Sequence, residues 1–192
     1  MENLAYIDPP VTERIEGKTY LISPRPLLRH NQVVANITTI FRNYLRGKPC
    51  RMYTDGADVH LDNENVYVPD AMIVCDRSIL RRDGIYGAPD LVVEVLSPST
   101  ALYDRGAKMK HYAEAGVKEY WIISPIGRSV EVYLNDHGRF QLDYIYTVYD
   151  EQDLSRMEEK DRAALRWEIP VSLYDDFFVD VKEVFEDVDD FA

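Results

Sequence analysis

The chain has 192 residues, 46% hydrophobic and 29% charged, the composition of an ordinary soluble globular protein with a real core. No apolar run approaches the roughly 20 residues of a membrane helix, and the opening MENLAYIDPPVTERIEGK lacks the basic-then-apolar layout of a secretory leader. The net charge of −12 argues against a nucleic-acid partner until its distribution is read: residues 150–192 hold 15 acids and 5 bases, residues 1–149 hold 19 and 17.

The body is therefore nearly neutral, and its cations fall in two stretches. Arg25, Arg29, Arg42, Arg46, Lys48 and Arg51 form one; Arg77, Arg81 and Arg82 form the other. They are either a solvated surface or a rim that faces phosphate. Cys50 and Cys75 lack a CxxC metal spacing, so reduced thiols in a cytoplasmic protein are expected rather than a disulfide.

In chain order, EGKTYLIS at 16–23 reads as a turn and a short strand, broken by Pro24 and Pro26. From Leu28 to Leu45 the residues Val33, Ile37, Ile40, Phe41, Tyr44 and Leu45 recur at helical spacing, and Gly47 and Pro49 end that helix. RMYTD, DVHLD and VYV follow as short strands, with Asn63-Glu64-Asn65 as a hairpin turn. Residues 71–75 form another strand, 76–88 a charged loop, and 90–96 a further strand. Pro98 stops it, and Ser99 or Thr100 is placed to cap a helix over 101–115 that ends at Gly116. VKEYWIIS, SVEVYLN and RFQLDYIYTV complete a mixed α/β sheet. Residues 150–164 read as a polar helix or loop, and the last stretch as a docking segment with an acidic end. The expected organisation is a single domain over 1–192, with a core at 13–147 and an acidic elaboration at 148–192.

Two apolar runs each carry an acid. Asp70 opens the run in VPDAMIVC, and Glu94 stands inside PDLVVEVLSP. A lone ionised carboxylate inside a strand covered on both faces is expensive, so it should be paired, protonated or bound to a metal. A hard cation such as Mg²⁺ takes one or two carboxylates and keeps waters, and the Val95 carbonyl would be a third oxygen. The plainer alternative is a turn cap at Asp70 and a salt bridge at Glu94. In the next helix Asp104, Lys108 and Tyr112 share one face at i, i+4, i+8. Lys108, in preference to Lys110, is placed to reach Glu94 and stabilise charge developing on phosphorus. His30, in the first turn of the first helix, is a candidate for the same cleft, and Glu13 or Glu16 for completing it. His60, His111 and His137 show no ligand spacing, Ser97 and Ser99 have no activating base, and no phosphate-binding glycine loop is present.

VPDAMIVC, APDLVVEVLSPST and DRGAKMKHYAEAGVKEYWII together resemble the Uma2 family of endonucleases, also called DUF820, as does the opening IEGKTYLISPRPLLRHNQVVANI. The resemblance covers roughly residues 13–147. It implies a restriction-endonuclease-like fold, a mixed β-sheet flanked by helices, with a PD-(D/E)xK type of site. Asp70 and Glu94 match the two acids of that site. The position two after Glu94 is Leu96 instead of lysine, and the resemblance implies that Lys108 on the neighbouring helix takes its place. The implied activity is Mg²⁺- or Mn²⁺-dependent hydrolysis of DNA. The alternative is a weak or inactive module that binds nucleic acid or protein, to which the missing lysine and the acidity both point. The aromatic strands VEVYLN and FQLDYIYTV are candidates for joining two copies into a homodimer.

Overall fold

The computed structural model describes residues 12–21, 27–54, 56–98 and 100–188. Arg25, the candidate cap Ser99 and the last four residues of the acidic end lie outside them. The chain opens with the hairpin β1 (Thr12–Ile15) and β2 (Lys18–Leu21), then helix α1 (Leu28–Tyr44). Val33, Ile37 and Phe41 are buried along one stripe of α1, as their four-residue spacing requires. Short strands β3 (Arg51–Thr54), β4 (Val59–His60), β5 (Val66–Tyr67) and β6 (Ala71–Val74) follow.

The stretch expected to be a plain loop holds structure. A 3₁₀ turn over Arg77–Ile79 is capped by the Asp76 carboxylate, and β7 (Ile85–Tyr86) pairs in parallel with β4. Two-residue strands carry too little periodicity to be read from sequence. After β8 (Leu91–Val95), the expected single helix is split into α2 (Ala101–Asp104) and α3 (Ala107–Ala115). Gly106 forms the break; a Cβ there would stand 2.8 Å from the Leu102 carbonyl oxygen. Thr100 makes no side-chain cap bond; Ser97 Oγ accepts from the Thr100 N–H instead. Gly116, at φ +98°, ends α3 and turns the chain into β9 (Glu119–Ser124).

The hairpin β10 (Ser129–Asp136) and β11 (Arg139–Thr147) comes next, then the short helices α4 (Glu151–Arg156) and α5 (Glu159–Ala163). The C-terminal part holds β12 (Glu168–Pro170), β13 (Phe178–Asp180) and α6 (Val181–Val184). Its apolar residues, among them Ile169, Val179, Val184 and Phe185, are buried in the same cluster as the α1 stripe. The acidic residues of this part are mostly outward, and its valines, Ile169, Phe177 and Phe185 are core.

The architecture is α+β: mixed sheets flanked by helices. The six-stranded sheet runs β11-β10-β9-β8-β6-β3, antiparallel except for the parallel pair β8–β9 joined through α2 and α3. A five-stranded sheet runs β2-β1-β5-β4-β7, and β12 pairs with β13. Strands β6, β8 and β9 sit mid-sheet and are buried on both faces, which explains their nearly unbroken apolar sequences. One face packs Ile73, Val93 and Trp121 on α1; the other packs Met72, Val92 and Ile122 on Tyr112 of α3 and Tyr67 of the smaller sheet.

The expectation of reduced thiols is overturned: Cys50 and Cys75 form a disulfide. Arg51 pairs with Val74 across β3 and β6, so the residues one step further out stand opposite each other. That register, across 25 positions of chain, is not visible in the spacing of two cysteines.

Candidate active site

The register of β6 and β8 decides where the two acids meet. Ala71 pairs with Val93 in an antiparallel ladder. One step beyond, Asp70 stands opposite Glu94, and the pleat sends directly opposed side chains to the same side, with Cβ atoms about 5 Å apart. Asp70 Oδ2 accepts the Val95 N–H at 2.7 Å, which locks the strand mouth to the end of β8. His30, at the start of α1, places Nε2 3.2 Å from Asp70 Oδ1.

On the other side of Glu94 lies the helix lysine. Lys108 Nζ is 3.3 Å from Glu94 Oε1, 3.3 Å from Asp104 Oδ1 and 2.8 Å from Glu13 Oε1. Tyr112 donates its hydroxyl to the same Glu94 oxygen at 3.2 Å. Asp104, Lys108 and Tyr112 thus share a face across the break at Gly106. Glu13 arrives from the smaller sheet, where β1 pairs with β5, and it also accepts the Val68 N–H at 3.1 Å. All four charged groups are buried: Glu94 and Lys108 at 3%, Asp104 at 1% and Glu13 at 6% exposure.

The charges do not balance. One ammonium faces three carboxylates, with Asp70 a fourth close by. Burial is the main force on Glu94, raising its pKa well above the usual carboxylate range; Lys108 opposes that, and Asp104, Asp70 and Glu13 add to it. Asp104 is raised for the same first reason, with Lys108 again opposing. Burial by itself would pull Lys108 toward losing its proton, but Glu94, Asp104 and Glu13 outweigh it and hold the ammonium firmly charged. The Tyr67 ring lies 5.8 Å from that ammonium and closes its far side.

Among the described residues no group of three or more His, Cys, Asp or Glu side chains is disposed to hold a metal ion. The donor chemistry that would suit one is the pair Asp70 and Glu94 with the Val95 carbonyl, all oxygen, in a pocket with surplus negative charge. That fits a hard divalent cation, which needs only one or two protein carboxylates.

The other candidates lie elsewhere. Glu16 is exposed in the β1–β2 turn at φ +50°, 4.0 Å from His111 Nε2. Lys110 faces solvent and pairs loosely with Glu114. His111 Nδ1 is 2.6 Å from the Tyr67 hydroxyl, a contact that spacing along the chain gave no reason to expect. Of the cations, Arg29 is half-buried next to His30.

A family model described as "Putative restriction endonuclease" matches residues 4–169. An uncharacterized protein of Synechocystis sp. is 32% identical over 134 residues, 68% of this chain and 67% of that one. A crystal structure of "a putative nuclease belonging to DUF820" from Anabaena variabilis superposes with a TM-score of 0.70 at 20% identity, covering 93% of this chain and 92% of the other. That likeness carries the fold, and the sequence match over most of the chain carries the family. The chain belongs to the Uma2 family.

Proposed function

We propose that this protein is an endonuclease that hydrolyses DNA phosphodiester bonds with Mg²⁺ or Mn²⁺. The observation that carries the reading is the juxtaposition of Asp70 and Glu94 across β6 and β8 with the Lys108 ammonium 3.3 Å from Glu94. Asp70, Glu94 and the Val95 carbonyl would hold the cation, which when bound supplies a Lewis acid and a water of lowered pKa. The chain's own groups do the rest. Tyr112 and Lys108 fix the Glu94 carboxylate from one side, leaving its second oxygen for the ligand. Glu13 and Asp104 keep Lys108 protonated, so that its charge favours the negative charge building on phosphorus. His30 orients Asp70, and the half-buried Arg29 beside it is placed for a phosphate of the backbone.

A plasmid-nicking assay with Mg²⁺ or Mn²⁺ tests this directly. Cleavage by the parent, lost in Glu94→Gln and Asp70→Asn and in chelator, is the expected result; equal cleavage by those variants defeats the assignment. A second reading has one observation in its favour. The Lys108 ammonium is shared among three carboxylates and no lysine stands at position 96, which suits a module that binds nucleic acid or protein without turnover. Binding without cleavage under every metal selects it.

We further propose action in the cytoplasm, where the Cys50–Cys75 bridge would have to withstand a reducing pool. A homodimer is proposed through the nine-residue edge strand β11, where Leu142 and Ile145 are exposed. Sedimentation of the parent against Ile145→Lys checks the latter.

A further inference from the structure

Strand β2 lies at the edge of the smaller sheet and pairs with β1. Lys18, Thr19 and Leu21 of β2 are exposed, and Tyr20 is half-buried. The register sets Tyr20 opposite Glu13, so both side chains leave the same face of the hairpin. The Tyr20 ring meets Tyr103 of α2 at 5.5 Å between centroids and 53° between planes, within the favourable range for an aromatic pair. Tyr103 precedes Asp104, and Asp104 and Glu13 are two of the three acids on Lys108. The contacts therefore close a ring: Lys108, Glu13, Tyr20, Tyr103, Asp104 and back to Lys108.

The polar fastenings of the hairpin gather at its turn. Arg14 pairs with Val66 and donates from Nη1 to the Asn63 carbonyl; the Glu16 N–H donates to Asn65 Oδ1 and the Gly17 N–H to the Glu64 carbonyl. Toward the open end stand the bonds of Glu13 to Lys108 and to the Val68 N–H, and the Tyr20 ring. Three carboxylates crowd one ammonium there, and their mutual repulsion works to spread them. The ring contact opposes that spreading without adding a charge. We infer that Tyr20 and Tyr103 are positioning residues: their contact clamps β2 to α2 and so keeps Glu13 and Asp104 on the Lys108 ammonium beside Glu94. What that ammonium does for cleavage rests on the endonuclease reading; the clamp itself does not.

The test reads Lys108 directly. The residue is 3% exposed, so acetic anhydride should reach its amine slowly, and peptide mass spectrometry follows the acetylation. Tyr20→Ser and Tyr103→Ser are each expected to speed it by about tenfold, the upper end of what one aromatic pair is worth, and the double variant no further. Tyr20→Phe and Tyr103→Phe keep the rings and should stay at the parent's rate. Backbone hydrogen exchange should quicken across residues 12–21 and stay unchanged across β10 and β11. The clamp is wrong if both serine variants leave Lys108 untouched, if their effects multiply in the double variant, or if the phenylalanine variants behave like the serine ones. Exchange that quickens in β10 and β11 as well means general loosening and overturns it equally. In plasmid nicking the serine variants should lower kcat and leave KM unchanged; a raised KM with kcat intact makes the rings substrate contacts and overturns the positioning role. If acetylation responds as expected but the parent never cuts plasmid, the nuclease reading fails and the clamp stands. If plasmid is cut and acetylation ignores the rings, the clamp fails and the nuclease reading stands.

Discussion

Two glutamates lie buried on the adjacent parallel strands β8 and β9, and their surroundings could hardly differ more. Glu119, fully buried, accepts the Trp121 indole N–H on one oxygen and the Ser172 N–H and hydroxyl on the other. Its partners are neutral, and they tie the C-terminal segment to the sheet. Among the described residues Glu94 accepts from Lys108 and Tyr112 on one oxygen only, and it shares its ammonium with Glu13 and Asp104. Burial of an acid is common to both, so burial alone marks neither as functional. What separates them is saturation. Glu119 has both oxygens occupied and neutral partners, whereas Glu94 keeps an oxygen in hand within a cluster whose surplus negative charge a divalent cation would offset.

The strongest way to break this contrast is to remove the lysine. Lys108→Ala leaves three buried carboxylates without their ammonium and is expected to cost about 3–5 kcal/mol of stability by urea unfolding, along with any nuclease activity. A matching loss from Lys118→Ala, whose exposed ammonium pairs with the largely buried Asp90 at the other end of the same strands, would show that the cluster is nothing special; about 1 kcal/mol is expected there, since Asp90 keeps the Cys75 N–H and water can take the place of the exposed ammonium.

Glu119→Gln probes the saturated acid. An amide can accept at one oxygen but turns donors toward a donor, so a loss of about 1–3 kcal/mol is expected at low pH. The pH dependence follows from burial, which raises the Glu119 pKa despite the opposing bonds from Ser172 and Trp121. A carboxyl raised in the folded state binds its proton more tightly there than in the unfolded chain. Its contribution is whole below the unfolded value, about 4.3, and is lost as pH climbs through the folded one. The parent therefore loses stability over that window and the Gln variant does not, so the gap between them narrows as pH rises. A gap that widens would mean Glu119 is held ionised by its partners.

How much of the fold and site is legible in the sequence depends on whether a feature lives in one stretch of chain. Asp70 and Glu94 stand out because each interrupts an apolar run, and Asp104, Lys108 and Tyr112 because helical spacing aligns them. Glu13 is only a weak candidate by sequence, since its place beside Lys108 depends on how a second sheet folds over α3. The break at Gly106 hides inside an otherwise helical pattern. Glu119 is another acid against an apolar run, YWII, and passes unnoticed because it follows Lys118 and with it reads as a polar, exposed entry to VKEYWIIS. The disulfide needed the β3–β6 register, and the buried C-terminal valines are masked by the acids between them.

The gentlest intervention sharpens the comparison most. Glu94→Gln keeps the shape of the side chain and removes one charge from a cluster with a surplus of negative charge. Because burial and the neighbouring acids raise the Glu94 pKa, the parent's stability declines as pH rises through that raised value, and the variant escapes the decline. Near neutral pH the variant is thus expected to equal or exceed the parent in melting temperature while losing cleavage. Divalent cation then reverses the order. Bound to the folded parent alone, at tenfold its dissociation constant, it adds about 1.4 kcal/mol, and the variant, with one ligand weakened, gains less. Parent and variant that respond identically to Mn²⁺ across pH would mean that no ion sits against Glu94. Its charge would then serve only to hold Lys108, which makes it a structural acid of the Glu119 kind.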